Sequence, residues 1–265
     1  MRTVQIEYLR PGQIQAERER CSIVYLPVAP LEWHGPAMSY GTDPLIAQAL
    51  ARRTAEKIGG VVMPTLYFGT ERERPVSILE AKGFENPEEL YIWGMDVPNN
   101  SMKSFYARED IFAITVREHL RLLVQQNYKL IVIVNAHGAW GQRETLSRLA
   151  TEFSNETDSR VLYTMIDINT DDFHPDFGHG TLIETSLIRY LHDECVALDA
   201  LPPREVGLKY TDWGIADDSV FEGKPSPDGC VIFDPRDATV ELGERCFSNA
   251  LDNLCREVQQ VYSAL

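Results

Sequence analysis

Residues 130–135 read LIVIVN, five aliphatic side chains in unbroken succession with no polar residue at alternate positions. A strand with one wet face alternates apolar and polar with period two. A strand without alternation is buried on both faces, as in a parallel sheet covered by helices on each side. The requirement extends to the rest of the chain, which must supply neighbouring strands and enough amphipathic helices to cover both faces. Short apolar runs recur at 22–28 (SIVYLPV), 61–69 (VVMPTLYFG) and 160–169 (RVLYTMIDIN). Pro27 is expected at a sheet edge or a distorted strand end, because proline cannot donate to a ladder.

Helix signals fill the gaps. In DPLIAQALARRTAEKIGG, Asp43 is a possible N-cap, Pro44 fits the first turn, and Gly59-Gly60 stop the helix. Helices are also expected over 108–127, 142–155 and 184–194. A last one runs from Asp237, with Val240, Phe247, Leu251, Leu254, Val258 and Val261 on one stripe. Residues 70–106 and 200–235 are punctuated by Pro and Gly; a segment as long as the first is functional or holds short extra elements. The alternation predicts one α/β domain over 1–265, a mostly parallel sheet with helices on both faces (an α/β/α sandwich). In such sheets ligands sit at the carboxyl ends of the strands.

Composition narrows the function. The net charge of −15 argues against nucleic acid or an anionic membrane as partner and leaves a small-molecule substrate. The five cysteines are widely spaced with no C-x-x-C pair, which fits reduced thiols. No apolar stretch is long enough to span a membrane, and the first residues lack the apolar core of a signal peptide. A cytoplasmic protein is expected.

Polar residues gather at the expected strand ends. In LEWHG, Glu32 and His34 are two residues apart, so in extended chain they point the same way. Asp43 follows after a loop-like GPAMSYGT. His137 ends NAHG, just past the most apolar strand, and His179 and Glu184 straddle a loop-to-helix junction in GHGTLIETS. Singly, Asp43 could be a helix cap, His137 a loop histidine and Glu184 a partner of the helix dipole. Glu32 is harder to dismiss, because an acid ending an apolar strand is costly unless paired. Together, three histidines and three carboxylates form a ligand set for Zn²⁺, Mn²⁺ or Fe²⁺. Two such ions often share a bridging carboxylate and a bridging water. His119 and His192 read as solvent-facing, and His174 lies in a loop that could approach the site. Arg72 and Arg74 are weaker candidates for substrate contacts; Trp33, Trp93 or Trp140 could stack on a flat substrate. No cysteine has a histidine spaced as a nucleophile's partner.

At these residues the sequence resembles the creatininase (creatinine amidohydrolase) family. LPVAPLEWHGPAMSYGTD follows that family's opening motif at Leu26, Pro27, Glu32, His34, Gly35, Pro36, Thr42 and Asp43; NAHGAW keeps Asn135, His137 and Gly138; HGTLIETS keeps His179, Glu184, Thr185 and Ser186. The resemblance implies two divalent ions per chain, zinc first, with manganese or iron as alternatives. Glu32 and His137 would bind one, His34 and Glu184 the other, and Asp43 would bridge both. Creatininase itself carries a glutamate ligand two residues after the strand-end histidine; here Ala139 stands there, and Glu184 is the replacement. Many relatives also carry histidine where this chain has Ala37. The implied chemistry is a metal-bridged hydroxide opening a cyclic amide or another non-peptide carbon–nitrogen bond, with His179 as proton donor to the leaving group and Glu184 as its rival. One alternative is carbon–carbon hydrolysis of a cyclic diketone such as the inositol-derived 3-dehydro-scyllo-inosose. The other is a non-catalytic, metal-stabilised binding protein. The resemblance further implies a homo-oligomer, a hexamer, with the aromatic segment 84–106 as a contact surface.

Overall fold

The structure is a computed structural model that describes residues 3–81, 83–98, 100–174, 178–208 and 234–265. Its elements in chain order are α1 (Pro11–Arg20), β1 (Ile23–Ala29), α2 (Thr42–Ile58), β2 (Val61–Val62), β3 (Leu66–Tyr67), β4 (Gly69–Thr70) and α3 (Val76–Ala81). After these come β5 (Tyr106–Ala107), α4 (Glu109–Gln125), β6 (Leu130–Asn135), α5 (Trp140–Glu156), β7 (Arg160–Met165), α6 (Leu182–His192) and α7 (Val240–Tyr262). The main sheet runs β2-β1-β6-β7, with β3 also pairing β1, and each of these pairings is parallel. Every residue of β1 and of β6 is buried, as unbroken apolar runs require.

Alternation along these strands feeds two cores. Ile23, Tyr25, Val132 and Val134 pack against α2, α6 and α7 through Ile46, Leu50, Leu187, Phe247 and Val258. Val24, Leu26, Val28, Ile131 and Ile133 pack against α4 and α5 through Phe112, Leu120 and Leu149. The result is the α/β/α sandwich expected. On α7, Phe247, Leu251, Leu254 and Val258 are buried, while Val240 and Val261 at the ends of the stripe are half-exposed.

Several local expectations change. Pro27 is not at an edge, for β1 lies between β6 on one side and β2 and β3 on the other. The Met63 N–H donates to the Tyr25 carbonyl, so the peptide of Pro27, two residues on, faces the same side. There the neighbouring strand is interrupted between Val62 and Leu66, and the missing donor breaks no ladder. The 61–69 run is accordingly divided among β2, β3 and the start of β4, which pairs with β5 in a separate two-stranded sheet. Gly41, not Asp43, caps α2, and Asp43 lies inside its first turn. Residues 70–106 hold α3 and a small core of Leu79, Ile92, Met95 and Val97. Cys21, Cys195, Cys246 and Cys255 are free thiols. Cys230 and the greater part of the 200–235 segment lie outside the described residues. Among the described residues no helix is long and apolar enough to cross a membrane.

Candidate metal centre

β1 and β6 are adjacent and in register, with Val28 opposite Asn135. The turns that leave them therefore emerge side by side, and this is where the polar residues meet. After β1, Glu32 and His34 turn back under the N-terminal turn of α2, which presents Asp43. After β6, Asn135 fixes the geometry of His137: its Oδ1 accepts the His137 N–H (3.0 Å), and its Nδ2 donates to the His137 carbonyl (2.9 Å). Gln142 donates to the same Oδ1 (2.9 Å) and accepts the Thr70 N–H (3.0 Å), which ties the β4 strand to the turn. From the loop before α6 come His179 and, within the first turn, Glu184.

The expected residues converge. His137 Nδ1 lies 2.9 Å from Glu32 Oε2 and 3.0 Å from Asp43 Oδ2. His34 Nε2 lies 3.2 Å from Asp43 Oδ1, 3.6 Å from Glu184 Oε2 and 4.0 Å from Glu32 Oε2. Glu32, His34, Asp43, His137 and Glu184 are each at most 4% exposed. Three trios, Glu32/Asp43/His137, His34/Asp43/Glu184 and Glu32/His34/His179, each gather their donor atoms within 4.8 Å of one another, and Asp43 belongs to the first two through opposite oxygens.

The histidine tautomers follow from what each ring faces. A carbonyl oxygen can only accept, so a ring nitrogen within hydrogen-bond reach of one carries the proton. His34 Nδ1 is 3.1 Å from the Glu32 carbonyl, His137 Nε2 is 3.3 Å from that of Thr70, and His179 Nε2 is 2.6 Å from that of Trp33. For His34 and His137 the second nitrogen then points at carboxylate oxygens. Lone pairs cannot face carboxylates in a dry pocket without a cation between them, either a proton or a metal ion. His34 Nε2 indeed makes no hydrogen bond although fully buried. A main-chain acceptor on one nitrogen and carboxylates around the other is the arrangement that holds metal-binding histidines. The donor set therefore fits divalent ions.

Electrostatics without a metal report the same need. Burial opposes a charge on His34, yet Asp43, Glu184 and Glu32 overcome it and raise its pKa to about 10. His137 is likewise raised, against its burial, by Glu32 and Asp43. Burial would raise Glu32 and Asp43, but the facing histidines hold both carboxyls below their usual values. Glu184 behaves differently: burial, helped by the charge on Asp43, pushes it up to about 8. Burial and the His34 ring stacked 4.2 Å away push His179 down to about 3, so it rests neutral.

A cavity of about 320 Å³ opens over the cluster, bordered by Glu32, Asp43, His137, His179 and Glu184. Its outer wall includes Glu71, Arg74, Met95 and Trp140. Of the three tryptophans considered for stacking, only Trp140, 70% exposed, lines this cavity; Trp33 is buried edge-on to Tyr40 and Trp93 packs beside Tyr91. Arg74 lines it too, whereas Arg72 is bound outside by Glu109 and Glu144. His174 is exposed and borders no part of it. His119, expected in solvent, is half-buried and bonded to the Thr115 carbonyl one turn back; His192 is partly exposed at the end of α6. A larger cavity of about 410 Å³ between β7 and α7 contains no histidine.

Sequence reasoning missed Tyr106, whose hydroxyl donates to Glu32 Oε1 across 74 positions of chain. Burial and the Glu32 charge raise its pKa far above the ordinary phenol, so it remains a donor. The only available signal was the aromatic richness of the 70–106 segment.

Comparisons with known proteins match the family and the fold. The family described as creatininase, creatinine amidohydrolase, matches residues 7–79 and 98–258. A creatinine amidohydrolase from Pseudomonas putida is 40% identical over 52 residues, a stretch that spans 20% of this chain and 20% of that protein. A crystal structure of creatinine amidohydrolase superposes with a TM-score of 0.69 at 21% identity over 99% of both chains. A manganese creatininase gives 0.68 at 22% identity over 98% of this chain and 99% of that one. A zinc–zinc form of a creatininase variant gives 0.66 at 21% over 98% of both.

Proposed function

This chain belongs to the creatininase family, and on that premise we propose that it is a dinuclear metal-dependent hydrolase that opens a cyclic amide or another non-peptide carbon–nitrogen bond. The observation that carries the reading is Asp43, whose two carboxylate oxygens each face a different imidazole, 3.2 and 3.0 Å away. Glu32, His137 and one Asp43 oxygen would hold the first ion; His34, Glu184 and the other oxygen the second. Divalent ions bound there would polarise a substrate carbonyl and lower the pKa of a shared water. Zinc is the first choice and manganese or iron the alternatives, since this carboxylate–imidazole set suits all three.

The chain's own groups supply the remainder. Tyr106 holds Glu32 Oε1, which leaves Oε2 for the ion beside His137. The Gly180 N–H, 2.6 Å from Glu184 Oε2, orients that carboxyl at the start of α6. His179 keeps its Nε2 proton on the Trp33 carbonyl, so Nδ1 is its proton-accepting atom. There it would take a proton from the attacking water and return it to the leaving nitrogen. Trp140 offers an exposed ring at the mouth for a flat substrate. On this reading residues 1–265 work as one domain of a cytoplasmic homo-oligomer, a hexamer as in its family, with no nucleic acid or membrane as partner.

Product analysis tests the reading. Metal-loaded protein incubated with cyclic amides, creatinine among them, is expected to release a ring-opened product with a freed amine. Ring opening of a cyclic diketone with no nitrogen released would instead favour carbon–carbon hydrolysis. Turnover of neither, with metals bound and no coordination position open to water, would favour the non-catalytic binding protein.

A further inference from the structure

Bordering the same cavity as the cluster, Glu71 and Arg74 form a second polar feature that the metal reading leaves unused. Glu71 is a carboxylate only 5% exposed, and the Arg74 side chain is about one-fifth exposed. Their charged atoms, Arg74 Nη2 and Glu71 Oε2, stand 3.9 Å apart. Both are held by the main chain around them. The Arg72 N–H donates to Glu71 Oε2 (3.1 Å), and Arg74 Nε donates to the Gly94 carbonyl (2.9 Å). Gly94 has φ +57, and a Cβ there would come within 2.7 Å of both Glu71 Cγ and the Tyr106 ring. The glycine thus lets the segment pass behind Glu71 and Tyr106 and press both toward the cavity.

We propose that Glu71 and Arg74 are the specificity-determining pair of this site, reading a neutral substrate edge that carries an acceptor beside a donor, such as one C=O and its N–H in a cyclic ureide, whose second carbonyl stays free. This inference rests on the hydrolase reading above. A guanidinium only donates and a carboxylate only accepts. An anionic group would satisfy Arg74 but meet the Glu71 charge, and a cationic group the reverse. Because Glu71 is almost fully buried, either mismatch leaves a charge repelled and poorly hydrated. A ureide edge satisfies both partners and leaves the second ring carbonyl for the cluster that borders the same cavity.

Calorimetry on metal-loaded wild type, Glu71→Gln and Arg74→Gln tests this with four probes: hydantoin, succinate, myo-inositol and inorganic phosphate. Hydantoin is expected to bind wild type and to weaken about 10- to 100-fold in either variant. Succinate is expected to gain about tenfold in Glu71→Gln alone, because the isosteric amide removes the repelling charge and leaves Arg74 in place. A gain cannot come from a damaged fold, so it separates specificity from mere support of the loop. Hydantoin affinity unchanged in both variants, no gain for succinate, or tighter binding of myo-inositol than of hydantoin by wild type would each overturn the pair's role. Phosphate needs only the ions and should hold within about twofold in all three proteins. Its failure to bind wild type would strike the metal reading rather than this one.

Discussion

The two walls of the cavity are built on different principles. The inner wall (Glu32, Asp43 and His137), with His34 against Asp43, hangs from the ends of two fully buried adjacent strands and the first turn of α2. Each imidazole on it has one nitrogen fixed by a main-chain carbonyl. The outer wall (Glu71, Arg74 and Met95) belongs to the long excursion that also carries Tyr106 and packs on its own small core of Leu79, Ile92, Met95 and Val97. The difference teaches how labour is divided. The sheet ends carry the cation-facing groups, and the excursion braces them with the Thr70 carbonyl on His137 and the Tyr106 hydroxyl on Glu32. Tyr106 joins the two walls through Glu32.

The comparison can be broken most forcefully at the inner wall. Asp43→Ala should lower kcat by about 10²- to 10³-fold or more, while substitutions of Glu71 should act chiefly on KM. Steady-state kinetics on both variants checks this; an Asp43 variant that changes only KM would erase the distinction. Next in size, Tyr106→Phe should weaken the binding of one of the two ions about 10- to 100-fold, because Glu32 loses the donor that orients it. Competition with a chromophoric chelator measures this, and two unchanged affinities would show the walls to be independent.

A subtler effect is on stability against pH. In metal-free protein His34 is raised from 6.5 to about 10, so its stabilisation is complete below about 6.5 and is lost as pH rises toward 10. Glu184, raised from 4.5 to about 8, acts in the same direction over its own range. Metal-free protein should therefore lose several degrees of Tm between about pH 6.5 and 10. Loaded protein should not, because ions replace the protons and binding releases them. A metal-free Tm that is flat or rises over this range in differential scanning calorimetry would contradict the shared-proton picture. Smallest of all, Trp140→Ala at the mouth should raise KM by about tenfold or less and leave kcat nearly unchanged.

How much the sequence disclosed follows the same division. The sheet was legible because LIVIVN and SIVYLPV are unbroken apolar runs whose burial is decided locally. The inner wall was legible because a strand end and the turn after it keep their polar residues within a few positions, as in Glu32 and His34. Asp43 was read partly as a cap because its spacing before Pro44 serves either purpose; only the tertiary packing of α2 shows that its side chain faces the histidines. Pro27 misled for a similar reason, since the gap between β2 and β3 that tolerates it depends on another segment. The outer wall was barely legible. Tyr106 reaches Glu32, and Glu71 reaches the cavity, through folding of the excursion on itself, which leaves no periodic trace in sequence.

The claim on which all of this depends is that one aspartate holds two cations together. Elemental analysis of protein purified without chelators, with Asp43→Ala prepared in parallel, addresses it directly. About two divalent ions per chain in the wild type, falling to near none in a variant that stays folded, is the expected result. No stoichiometric metal in the wild type, or a full complement in the variant, would contradict it.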